Sequence, residues 1–501
     1  MFRDFFTSIC LTKSLALPLE SFKKNSMKKY IGLLLLLISL SLHGEVVRDY
    51  YTVKGRVTVK GKGVAGVRVT DGVSIVLTNK KGEYKLPTHG EREFIYITQP
   101  TGYRVPIIQG APSFYQLNKR GERVDFSLEL DGDQTKHGFV VWADPQMKDE
   151  KDLQLFKEMV LKFKLQLNEK SSGLSFHGLS CGDQVFNTLS FYTDYKKELE
   201  GLGIPFYQTI GNHDLNFTER TNEVAFNTYT EVFGPRYFSF DVGEVHYVVL
   251  NNVFYYGYKH QYIGYLNEEQ LGWLEKDLSF VPHGKTVVIT FHIPAIYGHT
   301  GYAPKQDALM KNSLINNKAL FKIVEPYNTH ILTGHSHTQW NTRESEQLME
   351  HVHGSIGGGF WENGLCLDGN PQGATWYFVE GDSISWYFQG LESPRDFQFR
   401  VYPLGYDDKN PDFIVVNVFN YDTKWKVQWY EDGQRIDSLE KFWGTDPYAR
   451  LVYHKEMSER YPWLSAWPTG HLFRFKPHNP SAKIEVKVTD SFGNEFVQKV
   501  Q

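Results

Sequence analysis

Six short apolar segments recur between residues 137 and 350: GFVVWA, LSFHGLSC, FYQTI, HYVVLN, TVVITF and THILT. Stretches with helical spacing of apolar residues lie between them at 149–169, 267–280 and 306–325. Strands and helices alternating in this way close a core as layers, helix against sheet, which makes this stretch an α/β domain. The layering has a corollary. In open α/β sheets ligands gather outside the carboxyl ends of the strands. Polar residues just past these segments are therefore expected to converge, although the chain separates them widely.

The flanking sequence reads differently. Over 46–132 the runs VKGRVTV, VAGVRVTDG, SIVLTN, GEYKLP and REFIYITQP are broken at short spacing by Gly, Asp and Asn, the pattern of a β-sandwich of immunoglobulin-like or prealbumin-like type. After 350 the helical spacing fades, and runs such as ATWYFVE, SISWYFQG, DFIVVNVFN and AKIEVKVTD predict a mainly-β domain over 351–501. A chain of 501 residues suits about three domains. The expected fold class is thus multidomain: a central α/β domain at 134–350, a layered β-sandwich core flanked by helices, between two β domains.

Five polar clusters follow the central strands. Asp144-Pro145-Gln146 comes after FVVWA, Gly182-Asp183 through Asn187 after LSC, and Gly211-Asn212-His213-Asp214 after YQTI. His292 follows VVITF, and Gly334-His335-Ser336-His337 follows ILT. Each alone has a plain structural reading: Asp-Pro and Gly-Asp favour turns, and a strand-end His usually sits satisfied in a core. Together they offer carboxylate, imidazole and amide oxygen donors, which suit Mn, Fe, Zn or Mg. The three cysteines, Cys10, Cys181 and Cys366, are too few and too scattered for a thiolate site. Two ions about 3.5–4 Å apart can share a carboxylate and hold a bridging hydroxide at neutral pH. His351 and His353 form a rival pair, read as structural, and the Gly357–Gly359 run lacks the Lys-Ser/Thr ending of a nucleotide loop and reads as a close-packed crossing.

The ordered set D-x-Q, GDQVFN, GNHD, strand-end His and GHSH resembles the calcineurin-like metallophosphoesterase family, and the three-part layout is similar to a bacterial secreted subfamily of it. The resemblance implies a hydrolase in which a metal-bridging hydroxide attacks a phosphomonoester or phosphodiester. It implies that Asp144 and Gln146 serve the first metal, that Asp183 bridges, and that Asn212, His292 and His335 form the second site, with His337 returning to the first. Asn212 would also touch phosphate. His213 would stabilise the transferring phosphoryl group and protonate the leaving oxygen, oriented by donating a hydrogen bond to Asp214. The family usually has His where Gln146 stands. A neutral amide oxygen is a weaker donor, so the first site is expected to hold its ion less tightly and to favour Mn or Mg.

Around His292, the Tyr-rich loop 254–265 and the segment YGHTGYAPKQ at 297–306 read either as pocket lining, with His299 and Lys305 as substrate contacts, or as interdomain packing. Trp376, Tyr377, Trp386 and Tyr387 read as core. Two rival functions share much of this sequence: a pyrophosphatase on nucleotide-sugar or lipid-linked diphosphates, and an envelope binding or adhesion protein with a weakened enzyme core.

Charge and the N-terminus set the partners. The chain carries a net charge of −4, and residues 1–44 hold six basic and two acidic side chains, so the remainder carries −8. That balance opposes nucleic-acid binding, which needs a basic footprint. Lys28 and Lys29 precede the apolar run Tyr30 to Leu42, and Gly44 follows, the layout of a cleavable secretory signal with Met27 as the true start. The run is shorter than the roughly 20 residues of a membrane span, and no cysteine follows it to carry a lipid. The expectation is a secreted or periplasmic protein acting on a phosphorylated small molecule or envelope component.

Overall fold

A computed structural model describes residues 49–296, 306–453 and 460–500. The signal pattern at 28–44, His299 and Lys305 lie outside the described residues.

Strand Tyr50–Val59 buries Val53 and Val57 on one side and pairs in parallel with Phe126–Leu130, Val57 opposite Phe126. With Lys62–Gly63, Glu83–His89 and Tyr103–Arg104 it forms one sheet, and Tyr115–Leu117, Phe94–Ile97, Arg68–Thr70 and Ile75–Leu77 form the second. Val57, Val67, Val69, Leu86, Ile95 and Leu128 fill the space between them and are fully or nearly fully buried.

The central layers follow from side-chain alternation along Lys136–Trp142. Phe139 faces inward, its ring 5.4 Å from Tyr247 of the opposing sheet and 4.5 Å from Tyr377. Trp142 faces outward, 5.0 Å from Phe163 of helix Glu150–Lys170 and 4.3 Å from Phe206. The first sheet runs Phe206–Tyr207, Ser175–Ser180, Lys136–Trp142, Gly373–Glu380, Ser383–Gly390. The second runs Phe238–Val242, Val245–Val249, Thr286–Thr290, Asn328–Thr333, Leu348–Val352, Trp340–Arg343. The strands that precede the five polar clusters pair in parallel within each sheet, which brings their carboxyl ends to one edge. Helix Glu150–Lys170 is capped by Asp149, which accepts from the amides of Lys151 and Asp152.

The hairpin 373–390, within the stretch assigned to 351–501, joins the central sheet. Gly373–Glu380 pairs antiparallel with Lys136–Trp142, and Trp376 and Tyr377 are fully buried there, so this part of the predicted C-terminal domain completes the central sheet. Beyond it, two antiparallel four-stranded sheets pack around Phe399, Val416, Val418, Trp429, Phe473 and Val486.

A buried ionic cluster joins the first sandwich to the central layers. Arg68 pairs with Asp241 and lies 3.3 Å from Asp277 Oδ1. His246 bridges the same two carboxylates, Nδ1 at 2.6 Å from Asp241 and Nε2 at 2.9 Å from Asp277. Removing one member strands the others' charge in a dry interior. Arg68→Ala is therefore expected to cost about 3–5 kcal/mol, read as a drop in the thermal midpoint. Burial works against the charge on His246, but Asp277 and Asp241 outweigh it and hold its pKa above the ordinary value. Burial is likewise outweighed for Asp241 and Asp277, which are held below theirs. The imidazolium's share is complete below about pH 6.5 and is lost as pH rises through the folded pKa; the carboxylates' share is complete above about pH 4 and is lost as pH falls through theirs. The gap between native protein and Arg68→Ala should widen as pH rises through the carboxylates' folded pKa values, because Arg68 acts on them only when they are ionised.

Candidate metal centre

The five clusters meet at one point beyond the sheet edge. His292 Nε2 lies 3.0 Å from Asn212 Oδ1, 3.3 Å from Asp183 Oδ2 and 3.1 Å from His335 Nδ1. Donor atoms of Asp183, His292 and His335 all fall within 4.8 Å of one another. On the other side of Asp183, Gln146 Nε2 donates to Asp183 Oδ2 at 2.5 Å, and His337 Nε2 stands 3.6 Å from Asp144 Oδ1. The structure thus brings together Asp144, Gln146, Asp183, Asn212, His292, His335 and His337.

Close packing explains the glycines that open three of the five clusters, Gly182, Gly211 and Gly334. A Cβ on Gly211 would sit 2.0 Å from Asp183 Oδ1, and one on Gly334 would sit 2.6 Å from Asp144 Oδ2. The backbone is bent to match. Asp144, Gln146, Asp183, His335 and His337 have φ between 43° and 71°, the left-handed region that costs a side-chain-bearing residue about 1 kcal/mol or more. Such outliers cluster where a site fixes side-chain direction at the backbone's expense. The outer atoms are fixed too: His292 Nδ1 bonds Cys181 O at 2.7 Å, His335 Nε2 bonds Asn312 Oδ1 at 3.1 Å, and His337 Nδ1 bonds Gly358 O at 3.2 Å. In each imidazole one nitrogen is held and the other is left to the centre.

The donor set fits cations. Asp144 Oδ1 and Gln146 Oε1 are buried without a hydrogen-bond partner among the described residues, an arrangement that an oxygen-seeking ion would complete. Burial keeps His335 well below the ordinary pKa and lowers His337 to about 4, so both are neutral, the form that ligates. Burial opposes charge on Asp183, but His292 and His213 outweigh it and keep it ionised. Burial also lifts Asp144 well above the usual carboxylate range, and a cation beside it would reverse that.

The pairing of His213 with Asp214 is corrected. Asp214 points inward, where its Oδ2 accepts from the amides of Asp183 and Gly211, both at 2.8 Å, and its Oδ1 from Tyr192 OH at 3.0 Å. It braces two cluster backbones and does not hold the imidazole. His213 Nδ1 instead bonds Asn187 Oδ1 at 2.8 Å, and the ring stacks on Phe186 at 4.2 Å. Asn187 closes the GDQVFN motif and was legible as a motif member without a role. Asn312 and Phe360, the latter stacked 4.6 Å from His337, carry no sequence signal of their own. From the Tyr-rich loop, Tyr262 reaches the centre, edge-on to His335 at 6.1 Å. His351 and His353 are core residues, bonded to His330 and to Thr333 O and Tyr377 OH. Cys181 and Cys366 are buried free thiols.

Comparison with known proteins agrees in kind. The family model for calcineurin-like phosphoesterase matches residues 178–339, that for the N terminal of calcineurin-like phosphoesterase matches 51–131, and that for the C terminal matches 350–496. No curated protein matches the chain. Among solved structures, a dimetal phosphatase from Danio rerio is 14% identical over 51% of this chain and 97% of its own, with a TM-score of 0.38. A 5′-nucleotidase from Candida albicans is 12% identical over 51% of each chain, TM-score 0.31. Phosphopantetheinyl hydrolase from Mycobacterium tuberculosis is 10% identical over 43% of this chain and 90% of its own, TM-score 0.23. Likenesses this remote carry no argument about substrate.

Proposed function

We propose, for a chain that belongs to the calcineurin-like phosphoesterase family and is a metal-dependent hydrolase of phosphoester bonds, that Asp144, Gln146, Asp183 and His337 hold one ion and Asp183, Asn212, His292 and His335 a second. The observation that carries this assignment is the pair of unpartnered buried oxygens on Asp144 and Gln146 beside the three-donor cluster of Asp183, His292 and His335. Bound there, divalent ions supply a hydroxide nucleophile at neutral pH and offset charge on the phosphoryl oxygens. The chain's residues do the rest. Asn212 presents its amide toward the phosphate. Asn187 Oδ1 takes the Nδ1–H of His213 and so directs Nε2 at the phosphoryl group, whose negative charge would favour the imidazolium; from that doubly protonated form the Nε2 proton would pass to the departing oxygen, leaving the neutral ring. Asp214 keeps the Gly182–Asp183 and Gly211–Asn212 backbones in register.

The substrate class is a phosphomonoester or phosphodiester of a small molecule. Mono- and bis-p-nitrophenyl phosphate, assayed on the full chain with added Mn, Fe, Zn or Mg, test this directly. Two phosphorylated products from a nucleotide sugar would instead indicate cleavage of a diphosphate. Gln146→His supplies a stronger donor to the first site and is expected to raise bound metal toward about two ions per chain, by elemental analysis after dialysis. Unchanged metal content would remove Gln146 from the ligand set. Export to the envelope rests on the Lys28–Leu42 pattern, and a mature N-terminus near residue 45 in an envelope fraction would support it. No helix among the described residues is long and apolar enough to cross a membrane.

A further inference from the structure

Strands Val253–Tyr255 and Tyr262–Gly264 pair as a hairpin beside the metal centre. Its tip is the turn Tyr258-Lys259-His260-Gln261, closed by Gln261 N donating to Tyr258 O at 2.9 Å. Both central residues have positive φ, 43° at Lys259 and 54° at His260, as in a type I′ turn. Such a turn favours Asn followed by Gly, because a Cβ is penalised in the left-handed region. Lysine and histidine in these places lower the stability of the fold. Residues that go against local preference in this way cluster where side chains have a task beyond folding.

The hairpin is locked to the segment that follows the GNHD motif. Tyr255 N donates to Asn222 Oδ1 at 2.9 Å, and Tyr255 OH to Phe217 O at 3.1 Å. Gly257 lies so close to Arg220 that a Cβ would stand 1.8 Å from its carbonyl oxygen. The His260 ring stacks on Phe217, with centroids 3.8 Å apart and planes 15° from parallel. These contacts hold the tip beside the centre. Tyr262, two residues past His260, is edge-on to His335, and Phe217 comes four residues after His213. Burial lowers the pKa of His213, and His260 is near enough for its charge to lower it further.

Neither side chain of the tip is engaged by another charge. Both are exposed, and among the described residues each has only a ring contact: Lys259 Nζ lies 5.0 Å from the Tyr258 ring centroid, and His260 has the Phe217 stack. An ammonium and an imidazole N–H side by side offer far more to an anion than to a neutral alcohol.

We infer that the turn Tyr258–Gln261 is a substrate-binding lip, in which Lys259 and His260 take an anionic group carried by the leaving portion of the substrate. The inference rests on the phosphoesterase reading, in which His213 faces the departing oxygen, and narrows it to esters whose alcohol bears a negative charge of its own. A carboxylate and a second phosphate share the required chemistry.

The test compares kcat/KM of the metal-loaded full chain on matched esters: 3-phosphoglycerate against glycerol 3-phosphate, and fructose 1,6-bisphosphate against fructose 6-phosphate. At least one anionic member is expected to be preferred by about tenfold or more, and the pair that shows it separates carboxylate from phosphate. The double substitution Lys259→Asn, His260→Gly gives the turn the residues its backbone favours. It should raise the thermal midpoint and yet bring the preference to within about threefold of unity, chiefly through KM for the anionic ester. Lys259→Arg should keep most of the preference. No preference in the parent chain, or one that survives the double substitution, would overturn the inference. So would a lower midpoint with all four esters slowed alike, which would make the turn a structural element only. Absence of p-nitrophenyl phosphate turnover in the parent chain would overturn the phosphoesterase reading instead, and the preference would then be read as binding of the same esters by calorimetry.

Discussion

Asp183→Asn lowers turnover by about 10³-fold or more and strips metal from the protein. The magnitude follows from several kcal/mol of charge stabilisation supplied through the ions, at about 1.4 kcal/mol per tenfold in rate. Asp183 stands between the two halves of the centre. Its Oδ1 accepts from the His213 amide at 2.8 Å, and its Oδ2 lies 2.5 Å from Gln146 Nε2 and 3.3 Å from His292 Nε2. An amide there loses the negative charge and turns an NH₂ toward groups that are themselves donors. Elemental analysis and initial rates on the purified variant check both effects. Full metal content with unaltered rate would show that Asp183 is a turn residue and no bridge.

His213→Gln lowers kcat by about 10²–10⁴-fold while the ions stay bound. The separation of the two effects is the informative part. His213's ring is stacked on Phe186 and tied to Asn187, and its atoms are not in the donor cluster of Asp183, His292 and His335. Asn187→Ala should fall between the native protein and His213→Gln, with kcat reduced more than KM is changed, and Asn187→Asp should recover part of the loss. A variant of His213 that loses metal, or one that alters KM alone, would place this residue among the ligands or among simple binding groups.

Much of the centre was legible because its geometry is encoded locally. Each cluster follows an apolar strand, and the parallel pairing of those strands leaves their carboxyl ends together, so convergence follows from topology before any side chain is placed. What the sequence conceals is side-chain direction. Asp214 adjoins His213 in the chain, yet the buried hydroxyl of Tyr192 and two cluster amides draw its carboxylate inward. His213 is left to Asn187, a residue 26 positions earlier in the chain. The place of the hairpin 373–390 is concealed for a different reason. The alternation in ATWYFVE marks a half-buried strand but does not say which sheet it joins, and its partner Lys136–Trp142 lies more than 230 residues away. Asn312 beside His335, and the stack of His260 on Phe217, are likewise products of long-range packing.

The most direct test is a metal count on the purified full chain, paired with its rate on bis- and mono-p-nitrophenyl phosphate. Bound transition metal approaching two ions per chain after Mn or Fe loading, with turnover that chelator removes and metal restores, is the expected result. A chain that retains no ion from Mn, Fe, Zn or Mg and hydrolyses neither ester would contradict a catalytic metal centre at Asp144, Asp183, His292 and His335.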